Sequence, residues 1–190
     1  MENMEFDKVV EKRRSIRSFK KKAANWRVAI EAIDSIRNNP FAGNKNNLHF
    51  IIVEDSKKID NISKCCEQDW ILDSNLLVLV CSDESLIEEM YGERGRIYSR
   101  QQAGAAIMTL LLKLTDAGAA ACWVGAYNDK EIRDILKIPE KINIEAVIPI
   151  GYASGKNEKP RKNEPKMYWE SWGERKRPTI FTEPGIHDNI

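Results

Sequence analysis

The stretch from Arg96 to Ala117 constrains this chain most. Its apolar and small residues lie almost all around it, from Ala103 through Leu114. A helix apolar on every face must be buried, in a large core or at a subunit interface. The greasy part, Ala103 to Leu112, ends at Lys113 and falls short of the ~20 residues that cross a bilayer. In a chain of 190 residues, which allows one domain with a sizeable core, a subunit interface is the better expectation. Gly118 is placed to end this helix as a C-cap.

Around it the periodicity alternates between two kinds. Phe6, Val9, Val10 and Arg13 have helical spacing, and Trp26, Ile30, Ile33 and Ile36 continue it after the lysines at 20–22. Asn38-Asn39-Pro40 stops that second helix, because proline excludes helical geometry at the residue before it. Strands are expected over His49 to Val53, Leu76 to Cys81, Ala121 to Ala126 and Ile144 to Ile150. Asp55 or Ser56 is placed to cap a helix after the first strand, and Asp129 to Leu136 reads as a short helix. Helices and strands are interspersed without strict alternation, and two helices precede the first strand. This predicts an α+β fold rather than a doubly wound parallel sheet.

From Gly151 to Ile190 the character changes. This stretch holds four of the seven prolines and little apolar periodicity, yet it carries Tyr168, Trp169, Trp172 and Phe181. Aromatic anchors on a polar, proline-rich segment predict an arm that grips a surface, since disordered tails usually lack them. The expected division is a core over 1–150 and an arm of the same domain over 151–190.

Composition excludes several classes. Hydrophobic residues make up 42%, charged residues 31%, and the net charge is +1. Bulk charge therefore gives no argument for nucleic acid or a membrane surface, and any anion must be held by local groups. No apolar core of a signal peptide is present near the start, so a cytoplasmic location is expected. Cys65, Cys66, Cys81 and Cys122 show no zinc spacing. They read as buried free thiols, which suit a reducing compartment, and no metal is expected.

Four segments, far apart in sequence, carry chemistry. Arg13-Arg14-Ser15-Ile16-Arg17 offers guanidinium forks and a hydroxyl, which together suit a phosphate. Pro40 to Asn47 combines Gly43 with the amides of Asn44, Asn46 and Asn47. Such amides both donate and accept, as the edge of a heterocycle requires. In Ala119-Ala120-Ala121-Cys122-Trp123-Val124-Gly125-Ala126-Tyr127 small residues lead into a strand, and Gly125 lets backbone lie flat against a planar ligand. Glu174-Arg175-Lys176-Arg177 is a second basic cluster, able to meet the same phosphate as the first. Each also has a plainer reading: a solvated charge run, an Asn-rich turn, or a packed strand with a bend. The glycine-rich dinucleotide and P-loop fingerprints are absent.

The ordered set resembles the FMN-dependent nitroreductase family. The matching segments are Arg13 to Phe19, Pro40 to Asn44 with His49 to Val53, the long helix into Gly118, Ala121 to Gly125, and Ala146 to Tyr152. The resemblance implies a three-layer α/β/α fold with a mainly antiparallel central sheet. It implies a homodimer with FMN at the subunit interface, the long helix in the dimer core and the arm wrapped around the partner. It places Arg13, Ser15, Arg175 and Arg177 on the FMN phosphate and Arg14 along the ribityl chain or contributing by its backbone. Arg17 falls near flavin N1, Gly43, Asn44 and Asn46 of the other subunit at the flavin edge, and the Val124–Gly125 backbone before N5.

The implied activity is ping-pong hydride transfer from NADH or NADPH to an acceptor such as a nitroaromatic or quinone. No catalytic side chain is required, because the flavin carries the chemistry. The alternatives are a flavin-binding or regulatory protein without fast turnover, and a same-fold enzyme for dehalogenation or dehydrogenation. Two departures bear on substrate. Asn46 stands where many members have Gln, and Asn47-Leu48 where many have Pro-Trp. Residues 82–95, short and charged, replace a longer cover, so the pocket is open or closed by Tyr91, Tyr98 or the arm.

Overall fold

The structure, a computed structural model, describes residues 5–155 and 164–176. The chain divides into two compact units, Met1–Glu158 and Lys159–Ile190. Within the described part of the first, six α-helices surround a four-stranded sheet. The helices are α1 (Phe6–Lys12), α2 (Trp26–Asp34), α3 (Ser56–Cys65), α4 (Ser85–Tyr91), α5 (Glu93–Asp116) and α6 (Asp129–Leu136). The strands are β1 (Leu48–Val53), β2 (Leu76–Asp83), β3 (Ala120–Ala121) and β4 (Ile142–Gly151), ordered β1-β2-β4-β3 with every ladder antiparallel. The α+β expectation is met.

The period of two along the strands makes the layers. Leu76, Val78, Val80, Ala146, Ile148 and Ile150 pack under α2 and α5. Leu77, Leu79, Cys81 and Val147 pack on the opposite face under α3 and α6. Glu145 interrupts the count. Val80 pairs with Ala146 and Cys81 with Ile144, so Glu145 is an extra residue in β4, and the bulge sends Ile144 to the α3–α6 side. Its carboxylate accepts from Ser82 Oγ at 2.6 Å and lies 3.4 Å from Arg100 of α5.

Side-chain caps fix several helix starts. Asn25 accepts from the Arg27 amide, Asp55 from Lys58, and Asn128 from Glu131. At the end of α5, Gly118 takes φ +72°. The Gly118 and Ala119 amides reach back to the Thr115 and Leu114 carbonyls at 3.0 and 2.8 Å. These are the paired bonds of a Schellman C-cap.

Two expectations needed revision. The third strand, expected over Ala121 to Ala126, is a ladder only at Ala120–Ala121, with one further bridge from Val124 to Val147. The Cys122 amide reaches the Pro149 carbonyl at a long 3.4 Å. Proline has no N–H to return, so the ladder stops there. The long helix, expected from Arg96, begins at Glu93, and the charged stretch 82–95 before it holds α4. Within this chain α5 buries one side only. Ala103, Ala106, Ile107, Leu110 and Leu114 face the core, while Ile97 and Met108 are about half exposed at 51% and 44%.

The described part of the second unit is a small aromatic turn. The Trp169 amide donates to the Glu174 carbonyl at 2.8 Å, and the Tyr168 and Trp172 rings lie 4.9 Å apart. Trp172 is 91% exposed.

Candidate cofactor site

The first basic cluster leaves α1 and joins the sheet edge. Arg13 ends α1, its amide still bonded to the Val9 carbonyl at 2.9 Å, but with extended backbone at φ −58°, ψ 126°. Ser15 then forms a parallel bridge with Ala121, and the Ile16 amide donates to the Ala121 carbonyl at 3.0 Å. Further on, Phe19 bridges to Ala153, and the Lys20 amide donates to the Tyr152 carbonyl at 2.7 Å. Residues 15–20 are thus laid against both β3 and the end of β4. The first and third segments singled out in the sequence are brought side by side.

Cys122 reports how closely they meet. It is buried, and burial pushes its thiol above the ordinary range. Arg17, a hydrogen bond with Ser15, and Arg13 all pull in the opposite direction. The Ser15 hydroxyl meets the thiol at the edge of the sheet, and the positive charges of Arg13 and Arg17 are felt there. Arg14 differs: its Nη1 folds back onto the Arg13 carbonyl at 2.7 Å. Here it braces the turn.

Backbone donors at the third segment are not equivalent. The Val124 amide is committed to the Val147 carbonyl at 2.9 Å. Gly125 is exposed, and its amide enters no hydrogen bond among the described residues. Of the pair named from the sequence, Gly125 is the one whose N–H is available to a ligand.

The Asn-rich loop lies elsewhere. Gly43 and Asn44 take φ +57° and +56° in a short 3-10 turn packed against Met90 and Tyr91 of α4. Asn46 Oδ1 accepts from the Leu48 amide at 3.0 Å. Asn47 is buried. It donates to Ser99 Oγ at 2.8 Å and to the Asp83 carbonyl at 3.0 Å, and it accepts from Gln102. Gln102 also accepts from the Ala42 amide at 3.0 Å. This Asn47–Ser99–Gln102 network ties the loop to α5. It was legible only in part: the Asn was singled out, but its partners on α5 carry no local signal.

The ladders set the distance between the two halves. Leu48 pairs with Ser82 and Ser82 with Asn143, whereas Ala121, beside Ser15, pairs with Ile150. Seven residues of β4 separate those levels, roughly 23 Å at strand rise. Asn46 therefore stands toward the opposite end of the sheet from Ser15 of its own chain. Arg175 belongs to the second unit, and Arg177 lies outside the described residues.

The chain as a whole has counterparts among known proteins. The model of the nitroreductase family matches residues 60–152. A protein of Archaeoglobus fulgidus, provisionally named NADH dehydrogenase/NAD(P)H nitroreductase, is 27% identical over 176 residues, spanning 87% of this chain and 97% of the relative. A nitroreductase family protein of Clostridium novyi NT has a solved structure with TM-score 0.73 at 28% identity, covering 90% of this chain and 96% of that one. Oxidized iodotyrosine deiodinase bound to FMN and 3-iodo-L-tyrosine shares the fold, with TM-score 0.77 at 22% identity over 88% and 100% of the two chains. Over these matches the chain resembles the nitroreductase family in sequence and shares its fold.

Proposed function

We propose that this protein is a homodimeric, FMN-dependent oxidoreductase. The observation that carries the reading is the seating of the Arg13–Arg17 run against Ala121, next to Cys122 and close in sequence to the open Gly125 amide. Charged forks and a hydroxyl suit a phosphate and an electron-rich ring edge. An exposed glycine amide suits a flat heterocycle that approaches backbone closely.

In this reading Arg13 and Ser15 hold the FMN phosphate, joined by Arg175 and Arg177. Arg14 supports the ribityl side from the turn that it braces. Arg17 places positive charge near N1 and the C2 carbonyl, which favours the anionic reduced ring and raises its potential. Gly125 supplies the amide that faces N5, with Val124 fixing its position. The flavin, when bound, supplies hydride transfer from NADH or NADPH to an acceptor. Donor and acceptor take turns at one face, and nitroaromatics and quinones are the acceptor classes proposed.

The separation between Ser15 and the Asn-rich loop supports a shared site. Gly43, Asn44 and Asn46 serve the flavin of a second copy. Exposed Ile97 and Met108 on α5, with Trp123 packed toward Gly104, give that copy an apolar face to cover. The second unit wraps the partner. Four buried free thiols fit a cytoplasmic setting, and among the described residues no helix is long and apolar enough to cross a membrane. A second reading, reductive dehalogenation, is favoured by similarity to an iodotyrosine deiodinase of Thermotoga neapolitana at 22% identity.

Titration of apoprotein with FMN and with riboflavin tests the phosphate assignment. FMN is expected to bind at least tenfold more tightly. Equal affinities would remove the basic cluster from the site. Turnover of iodotyrosine faster than of any nitroaromatic or quinone would favour the second reading.

A further inference from the structure

The N-terminal segment carries more charge than the flavin reading uses. Residues 8–27 hold nine Lys and Arg against one acidic residue, Glu11, a net of +8. The whole chain nets +1, so the remaining residues together net −7. The excess is displayed at the surface. Lys20, Lys21 and Lys22 are all exposed directly after the strand-like run 15–20. That run is pinned by the Lys20 amide to Tyr152, and Lys22 lies 4.7 Å over the Tyr152 ring. Arg27 stacks 5.0 Å over the exposed Trp26, which adds an apolar element to the patch. Arg17, three residues before Lys20, belongs to the proposed flavin site.

We infer that this patch is a docking surface for a small acidic electron-carrier protein, of the iron–sulfur or flavin type, that delivers electrons at the Arg13–Arg17 cluster. The inference rests on the flavin reading of that cluster. Charge complementarity selects the occupant. A compact acidic face matches a compact cationic one and gains association rate by steering. A long polyanion such as nucleic acid would meet a chain whose remaining residues net −7. Weak electron-transfer encounters need only small interfaces, which the run 15–20 at the sheet edge and the lysines that follow it can supply. Two reduced carriers each lose one electron. With two protons from water they provide the pair that a two-electron acceptor consumes.

The test uses flavin-loaded protein, first checked for yellow colour and for bleaching by dithionite, so that loss of the flavin reading is seen separately. Binding of an oxidised acidic [2Fe–2S] ferredoxin is measured by calorimetry at low and high salt, and flavin bleaching by the reduced carrier is followed by stopped flow. The proteins compared are wild type, the triple variant Lys20→Gln, Lys21→Gln, Lys22→Gln, and the corresponding Lys→Arg triple. The expected result is salt-sensitive binding, with association slowed about tenfold or more in the Gln triple and retained in the Arg triple. FMN affinity and dithionite bleaching stay unchanged in all three. Salt-independent binding, equal association for the Gln triple, or equally tight binding to duplex DNA or phosphatidylserine vesicles would overturn the assignment.

Discussion

Val124 and Val147 exchange both backbone hydrogen bonds, at 2.9 and 3.0 Å. That single bridge, beyond the point where Pro149 breaks the ladder, holds the segment that leads into the proposed flavin site. It fixes Val124 and leaves Gly125 exposed just past the anchor. A continuous strand would have bonded a run of amides to the sheet; one bridge leaves the next amide open.

The Arg13–Arg17 cluster should divide its work. Arg13→Ala is expected to weaken FMN binding by ~1.5–3 kcal/mol, the range for a hydrogen bond to a charged group. Arg17→Ala is expected to lower the flavin reduction potential with a smaller change in affinity. Fluorescence titration and spectroelectrochemistry separate the two. An unaltered potential in Arg17→Ala would remove that residue from the N1 side.

The loop that carries Asn44 and Asn46 depends on Asn47. Replacing it with Ala strands Ser99 and Gln102, both buried. A cost of about 1–3 kcal/mol is expected in urea unfolding, together with weaker flavin binding if the loop serves a partner's site. Stability within a few tenths of wild type would show that water replaces the amide.

Gly43 meets two demands at once. Its φ is +57°, and a Cβ there would run into Met90 Cε. Gly43→Ala is therefore expected to destabilise by about 1–3 kcal/mol. Adding Met90→Ala should recover only the steric part, because the backbone strain remains. Full recovery in the double variant would contradict the conformational part of the argument.

The thiols set an alkaline limit. Burial pushes Cys66 up to about 12 and Cys65 and Cys81 up to about 11, against an ordinary value of 9.0. The folded state holds these groups neutral. Their contribution to stability is complete below about pH 9 and is lost as pH rises through 11 to 12. Denaturation midpoints measured from pH 8 upward should fall over that window. Thiol reagent at neutral pH should titrate the four cysteines only after unfolding.

Asp83 acts at the other end. Hydrogen bonds from Ser85 and Lys141 hold its carboxyl below the ordinary carboxylate range. The stability it contributes is present above the unfolded value of about 3.8 and is lost as pH falls through the folded value. Asp83→Asn should destabilise at neutral pH and match wild type at the acid extreme. A constant difference across pH would contradict this.

Much of the core was legible because it follows local periodicity. The helices at Trp26, Ser56 and Asp129 and the strands at 48–53 and 76–83 follow from apolar spacing and caps within each segment. What escaped was set by partners distant in sequence. The third strand fails because Pro149 lies opposite Cys122, and nothing within 121–126 announces it. Helix α4 forms on a charged sequence because it packs against α5 and the Gly43 turn. In the site, Arg13, Ser15 and Arg17 were visible as a cluster, and the structure lays that run against Ala121, next to Cys122. The true burden of Asn47 became visible only with Ser99 and Gln102 beside it.

The central claim is that this chain holds a flavin that nicotinamide reduces. An anaerobic absorbance spectrum of the purified protein, taken before and after NADH and then NADPH, tests it most directly. The account predicts a yellow protein that bleaches within seconds of adding one or both. A colourless protein that FMN cannot reload would contradict the site assignment, and a yellow one that stays oxidised with both nucleotides would contradict the nicotinamide-driven activity.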